Sequence, residues 1–276
     1  VISADARQVF RYLDIGTAKP TPAEQAVCPH HLIDILDPDE PYSAAQYAHD
    51  ARAAIERVPR SSLPVFVGGS GLYLNAALDG FSEGVVEPDV EIRAHLLERL
   101  QTDSIDVLYD ELRVADPPAA ERYADRNPRR VLRALEHIRS TGTRLSDAWQ
   151  DKPEPLPYDV IRVGVTMDRP ALVERIERRC ATMWSEGLLD ETKRILDMGY
   201  SPASQSLHTV GYRECIDVLE GRISEADAFA QFVIATRQYA KRQMTWFRRD
   251  PRVQWITGST DDCVAQIAVL LSCSIP

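Results

Sequence analysis

The chain has 276 residues, of which 44% are hydrophobic and 27% charged, with 13 glycines, 18 prolines and a formal charge of −10. That composition belongs to a folded globular protein and excludes disordered, collagenous and coiled-coil architectures. No apolar run approaches the roughly 20 residues that cross a bilayer, no basic-then-apolar leader opens the chain, and the five cysteines form no CxxC pair, so a soluble, cytoplasmic protein with reduced thiols is expected.

Taken in chain order, Val1–Ala4 reads as the end of a buried strand. It opens within an apolar stretch, so further residues are expected upstream. Asp5–Pro20 is polar, rich in turn formers, and placed at a strand's carboxyl end. Ser43 caps a helix over Ala44–Val58, where Tyr47, Ala51, Ala54, Ile55 and Val58 recur at helical spacing. Pro64–Val67 reads as a short buried strand that passes through Gly68-Gly69-Ser70-Gly71 into a helix, Leu72–Leu78. Strand, glycine turn and helix in that order indicate a parallel α/β layer.

From Glu83 to about Tyr158 helices dominate (Val90–Leu100, Asp103–Val114, Pro118–Ala124, Pro128–Thr141), and a Pro-rich return, Pro153–Pro157, closes the stretch. An all-helical insertion over 84–158 is therefore expected between two parts of one α/β core, 1–83 and 159–276. Val160–Thr166 resumes the sheet, Asp168 caps a long helix to about Gly187, Ser224–Arg248 forms another, and Val253–Ile256 precedes a closing helix near Asp261–Leu271.

Asp5-Ala6-Arg7-Gln8 packs a carboxylate, a guanidinium and an amide where a strand meets a loop, the place where open α/β sheets bind ligands. The residues themselves leave both a ligand-holding strip and a solvated turn open. In Val67–Tyr73 the glycines and Ser70 suit either an anion at a helix N-terminus or simply a tight strand-to-helix turn. Arg126, Arg129, Arg130 and Arg133 cluster near a helix start with only Glu136 in local register, a pattern better suited to gripping phosphates than to a solvated face. On Ser224–Arg248, the residues Phe229, Phe232, Val233, Thr236, Ala240, Gln243 and Phe247 make an apolar stripe. Arg237, Lys241 and Arg248 lie beside it within about 40° at about 100° per residue. Between Arg237 and Arg249 there are five basic residues and no acidic one in an acidic protein, which fits a nucleic-acid track or a helix solvated by its cations. Histidines lack metal-ligand spacing, so no protein metal site is expected.

The strings Asp5–Gln8, Asp14-Ile15-Gly16-Thr17-Ala18-Lys19-Pro20, His30-His31-Leu32-Ile33-Asp34, Val67–Tyr73, Val210–Arg213 and Lys241-Arg242-Gln243-Met244-Thr245-Trp246-Phe247-Arg248 together resemble the bacterial tRNA dimethylallyltransferases, the tRNA isopentenyl-diphosphate transferase family. The resemblance runs from Val1 to about Trp255. It implies a P-loop nucleotide-kinase-like parallel sheet flanked by helices, with an all-helical insertion domain. It implies transfer of a dimethylallyl group from dimethylallyl diphosphate to the exocyclic amine of the adenosine 3′ of the anticodon. Asp5 would be the general base, and Ser70, where the family usually has Thr, its hydroxyl partner.

The tRNA anticodon stem-loop would meet Asp5, Ala6, Arg7, Gln8, Ser70, Arg93, Arg129, Val131, Leu132 and Arg133 with Arg130, the run His208, Thr209, Val210, Gly211, Tyr212 and Arg213, and the run from Lys241 through Arg242, Gln243, Met244, Thr245, Trp246 and Phe247 to Arg248. Tyr212 and Trp246 are the aromatics available to fill the place of an extruded base. Arg175 or Arg179, with magnesium carried on the diphosphate, would neutralise leaving-group charge. A monomer is the default. The family's GxxxxGK[ST] loop has no match in these residues, so the chain as it stands is expected to transfer prenyl groups poorly. Competing readings are an adenylate-directed prenyltransferase, for which the helical insertion and basic tract are superfluous, and a non-catalytic RNA-binding homologue.

Overall fold

The computed structural model describes residues 1–59, 61–80, 89–149 and 154–274. The chain divides into two compact units, Val1–Leu78 with Leu156–Pro276, and Asp79–Pro155. In chain order the elements are β1 (Ile2–Ser3), α1 (Pro22–Val27), α2 (Ala44–Glu56), β2 (Phe66–Val67), α3 (Gly71–Asp79), α4 (Val90–Thr102), α5 (Ser104–Ala115), α6 (Pro117–Arg122), α7 (Pro128–Thr141), α8 (Leu145–Ala148), β3 (Arg162–Thr166), α9 (Arg169–Ser185), α10 (Leu188–Asp197), α11 (Tyr212–Leu219), α12 (Glu225–Phe247), β4 (Val253–Thr257) and α13 (Thr260–Ser274). Pro153, the first residue of the Pro-rich return, lies outside the described residues.

In the larger unit β1 runs parallel to β2, with the Ile2 amide on Val65 O at 2.8 Å and the Ala4 amide on Val67 O at 2.7 Å. On its other side β1 meets His31, whose carbonyl accepts from the Ser3 amide at 3.0 Å. β3 and β4 form a second parallel pair. The fold is α/β, with short parallel strands and many helices. The β1 and β2 strands are shorter than their apolar runs because a strand is defined by its neighbour, and pairing ends where the chain turns to form the site.

Helix starts follow local chemistry. Ser43 accepts from the Gln46 amide and Asp168 from the Ala171 amide, each satisfying an otherwise orphaned donor. α2 buries Tyr47, Ala51, Ala54 and Ile55, and the Tyr47 ring stacks on Tyr73 of α3 at 4.5 Å. α12 packs on α9 and α11, with Trp184 meeting Phe229 edge-on at 5.7 Å.

Two motifs of the first fifty residues prove to be one structural node. Lys19, with only 4% of its side chain exposed, donates to Asp14 at 2.6 Å, to Asp34 at 2.5 Å and to Phe10 O at 3.0 Å. A lysine this buried needs such a set of acceptors, and it receives them from both strings at once. Nearby, the buried Glu191 of α10 accepts from the Ile15 and Gly16 amides and from the Tyr212 hydroxyl at 2.6 Å. A Cβ on Gly16 would lie 2.4 Å from the Tyr212 ring, so only glycine permits this approach.

The second unit is helical in its described part. Leu96, Leu108, Leu112, Tyr123, Val131, Leu132, Leu135 and Leu145 form its core, and Asp116, fully buried, caps α6 through Ala119 and also accepts from the Ser146 amide. No helix among the described residues is long and apolar enough to cross a membrane.

At the end of α12, Asp250 receives Arg252 and Arg162, the latter at 2.8 Å, and Arg162 also reaches Asn75. The hydrogen bonds from Arg252 hold the Asp250 carboxyl down at about 2 against burial that opposes them. A depressed carboxyl contributes stability above its unfolded pKa and loses it as pH falls through the folded one. Asp250→Asn is therefore expected to cost about 1 kcal/mol at pH 7, after allowance for solvent screening. In thermal melts the gap between variant and parent should close between pH about 4 and about 2. A gap unchanged at the acid end would remove Asp250 from this role.

Candidate active site and RNA-facing surface

The turn after β1 carries Asp5, and the turn after β2 carries Ser70. Main-chain contact joins them. A Cβ on Gly68 would lie 2.2 Å from the Ala4 carbonyl oxygen, the Ser70 amide donates to that same oxygen at 3.1 Å, and the Ser70 hydroxyl accepts from the Ala6 amide at 3.0 Å. The glycines of this turn thus serve close packing. Gly69 faces Gln243 and Gly71 faces Trp246, both on α12, and Gln243 donates to Gly69 O at 3.2 Å. With the Ser70 amide paired, the turn is a junction between strands and α12.

Asp5 is half-buried, and its Oδ1 accepts from the Arg7 amide at 2.8 Å. Burial raises its pKa above the usual carboxylate value. Backbone hydrogen bonds from Arg7 and Gln8 and the charges of Arg7 and Arg179 work against that rise. The result is a carboxylate fixed in direction, more basic than one in water, and approached by two cations. Arg7 is itself tethered to Gln205 O at 2.6 Å. Gln8 is spent internally, accepting from Ser3 at 2.9 Å and donating to Thr17 O and Ala18 O, so it anchors the loop before Lys19.

Of the two arginines expected near the diphosphate, Arg179 acts electrostatically on Asp5; Arg175, one turn earlier on α9, is exposed and tied to no site group among the described residues. Tyr239 of α12, which the sequence reading did not single out, also belongs here. Its phenol lies beside Gln243 and Ser70 and within electrostatic reach of Asp5 and Arg7. The spacing 239, 243, 246 puts Tyr239 on the face of α12 that meets the glycine turn, and that spacing was the available signal.

The family model for IPP transferase matches residues 8–250. The chain belongs to the IPP transferase family. It is 43% identical over 272 residues to the tRNA dimethylallyltransferase of Roseiflexus sp. strain RS-1, covering 98% of this chain and 88% of that protein. Among solved structures it is similar to the full-length tRNA isopentenylpyrophosphate transferase of Bacillus halodurans, with TM-score 0.70 and 38% identity over 98% of this chain and 86% of that one. A eukaryotic dimethylallyltransferase acting on tRNA matches with TM-score 0.80 at 25% identity, over 98% of this chain and 71% of that one.

The surface that the resemblance assigned to RNA in this IPP transferase is more selective than its sequence runs. In the larger unit His208 and Arg213 are exposed and Thr209 and Val210 half-buried, but Gly211 and Tyr212 are buried. Tyr212 is fully enclosed with its hydroxyl on Glu191, which corrects its assignment as a stacking group. Along α12, Lys241, Arg242, Thr245, Trp246 and Arg248 are exposed, whereas Gln243, Met244 and Phe247 turn partly inward. Arg237 pairs with Glu177 of α9, so the basic stripe is opposed at that end.

In the helical unit Val131 and Leu132 are core residues, 0% and 4% exposed, because the helix must bury one face; this narrows the expected strip Arg129–Arg133 to its arginines. Those arginines are better compensated than their own helix suggested. Arg126 pairs with Asp106 at 2.6 Å, Arg130 with Asp125 at 2.5 Å, and Arg133 and Arg93 share the buried Glu136. Arg129 is exposed and makes no ion pair among the described residues.

Proposed function

We propose that the chain transfers a dimethylallyl group from dimethylallyl diphosphate to the exocyclic amine of the adenosine 3′ of the tRNA anticodon, with Asp5 as general base. The observation that carries this reading is the setting of Asp5: a desolvated carboxylate aimed by the Arg7 amide, beside the Ser70 turn, with Arg7 and Arg179 approaching it. Family membership supplies the substrate class.

The chemistry balances simply. As the amine nitrogen bonds to the allylic carbon, the carbon–oxygen bond to diphosphate breaks and the leaving group takes its electron pair. The nitrogen loses a proton to Asp5. An adenine amine is barely basic, so its proton becomes acidic only as the new bond forms, and a base already in place is what the step needs. Ser70 holds the Ala6 amide and thereby the strip that aims Asp5. Arg179, with Arg175 as a second candidate, stabilises charge on the departing diphosphate.

In this reading magnesium is carried on the diphosphate, where it would offset leaving-group charge, and Arg179 would work beside it. The RNA-facing groups are the exposed cations Lys241, Arg242 and Arg248 of α12, His208 and Arg213, and in the helical unit Arg93, Arg129, Arg130 and Arg133, with the tRNA anticodon stem-loop as partner and the protein acting as a monomer.

The reading is tested by incubating the full-length enzyme with dimethylallyl diphosphate and an anticodon stem-loop RNA, then digesting to nucleosides for mass spectrometry. The prenyl group is expected on the exocyclic amine of the adenosine 3′ of the anticodon. Transfer to free adenylate in preference to the RNA would replace this reading with the adenylate-directed one.

A further inference from the structure

An adenine that leaves its helical stack gives up favourable base–base contact, and enzymes that extrude bases replace that contact with a π surface in the pocket. Around Asp5 few groups can supply one. Tyr212 is enclosed. Trp246 turns its indole nitrogen toward Gly71 and lines a separate cleft of about 490 Å³ with Asn75, Phe247, Arg249, Asp250, Pro251 and Arg252. Tyr73 is buried beneath Tyr42 and Tyr47.

Tyr239 is different. It stands on the face of α12 whose Gln243 donates to Gly69 O at 3.2 Å, so its phenol lies beside the Ser70 turn and within electrostatic reach of Asp5. The residue is 40% exposed. The Arg242 guanidinium lies over the ring at 5.8 Å from its centroid, a cation–π contact on one side of the ring. A partly exposed phenol that has a cation over its ring and stands on the α12 face meeting the Ser70 turn can serve as a stacking platform.

We propose that Tyr239 is the platform on which the acceptor adenine stacks after extrusion, so that its exocyclic amine is presented to Asp5. This rests on the reading of the site as a tRNA prenyl-acceptor site. Tyr239 takes no part in bond making; it touches the base and sets its plane. The hydroxyl, pushed above the usual phenol pKa by burial, stays protonated.

Base–aromatic stacking contributes about 1–3 kcal/mol per base, so removing the ring should weaken productive binding about tenfold or more. In the full-length enzyme Tyr239→Leu is expected to raise KM for an anticodon stem-loop about tenfold while changing kcat less than about threefold, and Tyr239→Phe and Tyr239→Trp should stay within about threefold of the parent in KM. An independent readout uses a stem-loop with 2-aminopurine at the acceptor position. Bound to the parent or to Tyr239→Phe the extruded fluorophore should be quenched by stacking, and bound to Tyr239→Leu it should brighten.

A leucine variant with parental KM and parental emission would overturn the proposal. So would a loss of binding that neither phenylalanine nor tryptophan restores, since that pattern belongs to a structural residue. If the parent transfers no prenyl group to RNA but the emission pattern holds, the prenyl-transfer reading fails while the platform stands.

Discussion

Asp5→Ala in the full-length enzyme is expected to lower prenyl transfer by roughly a thousandfold, within the 10²–10⁴ range of a positioned general base, while leaving tRNA affinity within about threefold. The two effects separate because, in the proposed reaction, Asp5 contributes a proton acceptor and the RNA is gripped elsewhere by cations that the substitution leaves in place. The pH profile carries a sharper form of the same expectation. Only the ionised carboxylate can take the amine proton, and burial raises the Asp5 pKa. Thus kcat/KM should fall on the acid side with a midpoint above the ordinary carboxylate range, and be flat above it. Arg179 opposes the rise, so Arg179→Ala should carry that midpoint to higher pH as well as slow the reaction. Single-turnover rates across pH check both. Turnover by Asp5→Ala equal to that of the parent would remove Asp5 from its role.

Double charge reversal at Lys241 and Arg248 is the second large effect. Both side chains are exposed and neither makes an ion pair among the described residues, so each is available to a phosphate. Releasing one counterion per phosphate contact makes affinity fall with salt, with a log–log slope of about −0.7 to −0.9 per contact. Lys241→Glu with Arg248→Glu is expected to weaken stem-loop binding by roughly tenfold to a hundredfold near 0.1 M salt and to flatten the slope by roughly two. Arg237→Ala is the internal control: Arg237 is engaged with Glu177, and its loss should move the slope far less. Filter binding at several salt concentrations reads both quantities, and an unchanged slope in the double variant would take α12 off the RNA path.

What the chain revealed before its structure depended on the range of the interaction concerned. Helices α2, α7, α9 and α12 were legible because their caps, Ser43, Asn127, Asp168 and Ser224, and their apolar spacing are local. α1 was missed because it buries nothing, although its Thr21–Glu24 capping box was present to be read. β1 and β2 were placed but drawn too long, since their two-residue pairing is set by a partner more than sixty positions away. At the candidate site the same division holds. Asp5 and Ser70 stood out as residue types at a strand-to-loop boundary. The enclosure of Tyr212 by Glu191, the ion pairs of Arg126 and Arg130 with Asp106 and Asp125, and the turning of Tyr239 toward Ser70 all come from chain segments meeting in space.

The close crossing of Gly68 over Ala4 carries one last implication. The approach of the turn that carries Asp5 to the turn that carries Ser70 is set by two backbones in contact, with no side chain between them to be exchanged. Mutational drift can repaint the surrounding side chains, but the meeting of those two turns is inherited with the topology itself.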